Sequence, residues 1–213
     1  MKMNQIFLFL SIVFCSNVFA QDSTSFQFPK FENATIFYKN GTTTVEKVNY
    51  NLIDPGLYFI DKKDNQIKVV GSIEIIGYIL IGERKYLIDT EGLKEILDTT
   101  PVIYVQIKAK TKTKARTIGY GGSDGVASVT TYSEYKSGGQ MSILQNNTYE
   151  ISKLYKIYWI EKNNKRKIVT NFKQFQKIYS NKKAKVSEYI ETNKVNFEDV
   201  NQFVDLVKFA ESL

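Results

Sequence analysis

Between Phe26 and about Thr170, apolar and polar residues alternate or form short apolar runs bounded by turn residues, a β-strand pattern; beyond Thr170 the apolar positions shift to helical spacing. Ala34 to Lys39 is a short β-prone run closed by Asn40-Gly41, a hairpin turn pair, and Thr42 to Tyr50 alternates on the far side. Asp54-Pro55-Gly56 is a turn with proline at its second position. Leu57 to Ile60 and Gln66 to Val70 read as strands flanking the polar turn Asp61 to Asn65, and Ile79 to Ile81 pairs with Tyr86 to Ile88 around Gly82-Glu83. Glu91 to Leu97 reads as one or two helical turns, capped by Thr90 and turning Leu93, Ile96 and Leu97 inward. Val102 to Thr117 is a long strand, followed by a flexible polar loop over residues 119–139. Met141 to Leu144 is a short strand, and Tyr149 to Ile160 a long one that turns at Asn163-Asn164.

In the tail, Phe172, Phe175, Ile178 and Tyr179 have helical spacing, as do Val186, Tyr189 and Ile190. Asn196 reads as the cap of a last helix striped by Val200, Phe203, Val204 and Val207, with Asp199 placed to complement its N-terminus. The fold class that follows is α+β. An antiparallel sandwich, roll or partly open barrel occupies residues 21–170, and a small three-helix region occupies residues 171–213.

The first twenty residues stand apart. Lys2 precedes the apolar run Ile6 to Phe14, and Val18-Phe19-Ala20 offers small residues at both positions a signal peptidase reads. This is the layout of a secretory signal, so the mature chain is expected to begin at Gln21, outside the cytoplasm. Cys15, the only cysteine, lies within that signal, and the chain has no histidine. The mature chain therefore has no disulfide, cysteine nucleophile or Ser-His-Asp triad, and any zinc site would rest on carboxylates alone. The formal charge of +7 comes almost entirely from lysine, which gives point charges rather than the forked donors suited to phosphate. Nucleic acid is not an expected partner of an exported chain, and no cofactor motif is present. Three matches to the glycosylation acceptor pattern, at Asn33, Asn40 and Asn146, are what an Asn- and Thr-rich chain produces by chance.

Three segments carry a resemblance: NYNLIDPGLYFIDKKDNQIKVV from Asn49 to Val70, IGYGG from Ile118 to Gly122, and YIETNKVNFEDVNQFVDLVKF from Tyr189 to Phe209. In order and spacing they resemble a group of exported Bacteroidetes proteins of uncharacterised function, with a signal, a β-rich body and a helical tail. The resemblance implies a bacterial envelope setting, periplasmic or attached to the outer membrane, and brings no catalytic residues with it.

The sharpest chemical feature is the basic ladder Lys108, Lys110, Lys112, Lys114 and Arg116. Alternate residues of a strand share a face, so these cations line one side. Such a stripe can hold an anionic glycan or lipid, with peripheral membrane association as one form of this; another envelope protein is the alternative partner. The plainer role is a solvated face whose lysines guard against edge-to-edge pairing. Gly119 to Gly125 lacks the Lys-Ser/Thr of a phosphate-binding loop, although Tyr120, Tyr132 and Tyr135 suit a contact loop. Asp61, Asp64 and Asn65 read as a turn rather than a calcium loop. Glu74, Glu83, Asp89 and Glu91 are the carboxylates from which an envelope-glycan hydrolase would draw its pair. Tyr149, Ile151, Tyr155, Ile157 and Trp159 read as one face of a strand, more suited to core than to carbohydrate stacking.

Overall fold

The computed structural model describes residues 25–113, 116–118, 122–124, 149–162 and 165–213. The strands are β1 (Glu32–Tyr38), β2 (Thr43–Asn51), β3 (Gly56–Ile60), β4 (Ile67–Val69), β5 (Ile76–Ile81), β6 (Arg84–Asp89), β7 (Gly92–Thr99), β8 (Val102–Thr113), β9 (Arg116–Ile118), β10 (Gly122–Asp124), β11 (Tyr149–Lys162) and β12 (Lys165–Val169). Ten of them form one antiparallel sheet in the order β12-β11-β8-β7-β6-β5-β1-β2-β3-β4, while among the described residues β9 and β10 pair only with each other. Three helices close the chain: α1 (Phe172–Ile178), α2 (Lys183–Thr192) and α3 (Val200–Ser212). The α+β class and the strand-then-helix order are those the periodicity predicts.

The sheet cannot be flat. The ends of β4 and β6 are five strand spacings apart in the ladder, about 24 Å on a flat sheet. Yet Val69 and Val70 line one cleft with Ile88 and Asp89. The sheet therefore rolls up without closing. Ala34, Ile36, Val48, Tyr50, Leu57, Ile79, Ile81, Tyr86, Ile88 and Leu93 fill the roll and form the first apolar core.

A second core lies on the same face further along. Ile103, Val105, Tyr158, Ile160 and Val169 of the sheet meet Phe175, Tyr179, Val186, Phe203, Leu206, Val207 and Ala210 of the helices. Tyr158 stacks on Phe203 with ring centroids 3.7 Å apart. The helices are too short to persist alone, and this shared core holds them to the sheet.

Several local expectations are corrected. Glu91 to Leu97 is not helical: it is a turn leading into β7, because Leu93 packs in the roll while Lys94 turns to the opposite side, a period of two. The long strand from Val102 stops at Thr113 among the described residues, and Arg116 belongs to β9, outside the main sheet. Lys165 to Val169, within the β region but not separately foreseen, forms the edge strand β12. The cap of α3 is Asp199, whose side chain accepts from the Gln202 amide at 3.1 Å; Asn196 instead closes the preceding turn by accepting from the Glu198 amide. Residues 1–24, the signal with them, and most of the loop over 119–139 with Met141 to Leu144 lie outside the described residues.

Candidate functional site

The face of β8 opposite the two cores carries Tyr104, Gln106, Lys108, Lys110 and Lys112, and the register brings β11 alongside. Trp159 stands opposite Tyr104, Ile157 opposite Gln106, Tyr155 opposite Lys108, Lys153 opposite Lys110, and Glu150 opposite Lys112. A bulge between Ile151 and Lys153 changes the facing of everything before it. Ile151 consequently packs against the first core. The five residues read as one face are thus divided, and Tyr158 and Ile160, of the other parity, are the ones in the helical core. Trp159 is buried, but on the outer face.

What buries it is a polar cluster. Lys94 of β7 is fully buried and its ammonium sits 4.7 Å from the centre of the Trp159 ring. That ammonium contacts Asp89 at 2.5 Å and Glu91 at 3.2 Å. Gln106 donates to the Glu91 carbonyl at 2.6 Å and accepts from the Trp159 indole at 3.3 Å. Arg166 of β12 donates to Asp89 at 3.2 Å, with its guanidinium 5.0 Å from the Tyr104 ring. β12 and β6 are four strand spacings apart, about 19 Å on a flat sheet, so twist and bend draw these corners together. Burial pushes the Asp89 carboxyl up, but the bond and charge of Lys94, the Glu91 amide and Arg166 outweigh it and hold the carboxyl below its ordinary value.

The lysine row begins beside this cluster. Lys108 is half-buried and donates to the Glu91 carbonyl at 2.9 Å. Burial, then the nearby Lys94 charge, lower its ammonium below the ordinary lysine value. Lys110 and Lys112 are exposed, and Lys112 pairs with Glu150 at 2.9 Å. Lys153, also exposed, faces Lys110 across the strand pair. The structure thus places Lys108, Lys110 and Lys112 on one face. Lys114 lies outside the described residues, and Arg116 is described only as backbone of β9. The reverse face of the same stretch, Ile107 and Ala109, packs against the first core, so the row stands on a fixed strand.

Sequence reasoning did not single out Lys153, Lys94 or Gln106. Lys153 joins the row only through the cross-strand register. Lys94 sits in a segment read as helical, where a lysine between Leu93 and Glu95 signals nothing unusual.

Among the candidate carboxylates, Asp89 and Glu91 converge, but on Lys94. Asp61 and Asp64 both bind Lys68 within the β3–β4 turn, which is the hairpin the sequence predicts. Among the described residues, every carboxylate whose acidity is shifted (Asp61, Asp64, Asp89, Asp98 and Glu211) is held below its ordinary value, opposite to a general acid's need. No three His, Cys, Asp or Glu side chains gather into a metal-binding group among the described residues. The chain matches no protein-family model, no curated protein and no solved structure.

Proposed function

We propose that this chain is an exported cell-envelope protein with a non-enzymatic binding role, and that Lys108, Lys110, Lys112 and Lys153 form the surface that holds an anionic envelope component. The observation that carries this reading is the pairing of Lys110 with Lys153. Like charges directly opposite on neighbouring strands destabilise a sheet. A chain concerned only with solubility gains nothing from placing them there, whereas an anion between them turns the repulsion into attraction. β7 pairs with β8 only from Val102 to Val105, so among the described residues the stretch carrying Lys108, Lys110 and Lys112 pairs with β11 alone and leaves its other side open.

The test is retention of the purified protein on a dextran sulfate matrix under a salt gradient. The expected result is binding that weakens with salt, lost in the variant K110E/K112E/K153E while its circular dichroism is unchanged. Retention unaffected by the triple reversal overturns the assignment of this surface.

A further inference from the structure

We infer that the anion is a linear acidic glycan lying along the β8–β11 ribbon with one charged group between Lys110 and Lys153, rather than a lipid surface. This rests on the anion-binding reading above and narrows it.

The spacing is the first argument. Lys108, Lys110 and Lys112 recur every second residue of one strand, so neighbouring cations are separated by about 7 Å along the ribbon. Because Ile107, Ala109 and Ile151 pin the other side of the ribbon to the first core, that interval is built in. A fixed linear period suits a chain with one charge per repeat unit and confers nothing on a fluid array of headgroups. Lys153, beside Lys110, adds a second cation at the middle of the row.

The second argument is the surroundings. Peripheral membrane binding combines cations with apolar side chains that enter the interface. Among the described residues, the exposed large apolar side chains Val45, Ile75, Leu154, Ile168 and Leu213 do not stand among these lysines; Ile168 shares the outer face but lies opposite Trp159, beyond the end of the row. Leu154 is next to Lys153 in sequence and so points to the opposite face of β11. Tyr155, directly across from Lys108, is half-buried and sets an aromatic side chain beside the row, which suits a sugar.

The third argument is supplied by the chain's own Glu150. Its carboxylate lies 2.9 Å from the Lys112 ammonium, across the strand pair as Lys153 lies across from Lys110. A glycan carboxylate would occupy the same kind of position, and Glu150 competes with it for Lys112.

The experiment uses oligogalacturonates of increasing length, which carry one carboxylate per sugar, and phosphatidylglycerol vesicles as the lipid comparison. Affinity is expected to rise over the first few sugars and then level off as the chain outgrows the row. K110Q and K153Q should each weaken binding by up to about fivefold, the scale of one exposed ion pair, and the double variant should lose less than the product because both hold one group. E150Q should tighten binding by a similar factor, by releasing Lys112, an effect a merely structural Glu150 would not give. Length-independent affinity, or an E150Q variant that binds no better, overturns the inference. Vesicles binding more tightly than the long oligomers, with loss in K110E/K112E/K153E, would leave the anion-binding surface standing and remove the glycan. Failure of both probes removes both.

Discussion

Lys94 and Trp159 come from strands separated by β8, and the ammonium of one lies against the indole of the other with no exposure to solvent. A fully buried ammonium is tolerable only where charge and hydrogen bonding replace water. Asp89, Glu91 and the ring supply that here.

Replacing Lys94 with Met should therefore destabilise the fold. It leaves Asp89 half-buried with only Arg166 opposite, and Glu91 without its ion pair to Lys94. Because Asp89 remains about a third exposed, the expected loss is at the lower end for a broken buried pair, about 3 kcal/mol. Urea unfolding checks this: the midpoint should fall with the slope unchanged, and an unmoved midpoint would show that the cluster is energetically idle.

Gly92 lies where this cluster meets the roll. It has φ +117, and a β-carbon there would meet the Tyr50 hydroxyl at 2.5 Å and the Gln106 amide nitrogen at 2.8 Å. Gly92→Ala should cost about 2–4 kcal/mol, combining backbone strain with the clash. Tyr50→Phe in the same chain should return part of it, since only the hydroxyl contact is relieved while the Gln106 contact and the backbone strain remain. Additive losses in the double-mutant cycle would refute the contact.

The cap of α3 makes a cheaper test. Asp199→Ala should lower stability by about 1 kcal/mol through the lost bond to the Gln202 amide. Asn196→Ala, read from sequence as the cap, should cost less in the same thermal melt. The reverse order would restore the sequence expectation.

Stability should fall at both extremes of pH, for opposite reasons. Asp61, Asp64, Asp89, Asp98 and Glu211 hold their protons less tightly when folded, chiefly through Lys68, Lys94, Lys208, and Tyr179 with Lys162. Such groups stabilise the fold above their unfolded values, about pH 4, and that contribution drains away as pH falls through the folded values. Tyr86 moves the other way, pushed up to about 12 by burial and then by Glu95. Its contribution is intact below the unfolded value of about pH 10 and is lost as pH rises towards 12. Unfolding midpoints across the pH range check both limbs. Asp89→Asn should shallow the acid limb, and a limb of unchanged slope would argue against Asp89 as a contributor.

The strand and turn pattern was legible wherever short-range chemistry decides it. Asn40-Gly41, Asp54-Pro55-Gly56, Asp61 to Asn65 and Gly82-Glu83 each close a strand connection at or beside the place the sequence indicates. It failed at Glu91 to Leu97, where helical and strand spacing of apolar residues coincide over a short window. It also failed at the face of β11, where one bulged residue inverts the side on which Ile151 stands.

The sequence by itself determined the class: alternation dictates strands, helical spacing dictates the tail, and period two puts Lys108, Lys110 and Lys112 on a common side. Those are local properties, set by the geometry of a few consecutive residues. Only the tertiary structure decided that the sheet rolls without closing, that Lys153 faces Lys110, and that Asp89, Lys94, Gln106, Trp159 and Arg166 converge. These depend on register and on the bend of a ten-strand sheet. Both are set by the packing of two cores across long sequence separations, and no local pattern encodes either.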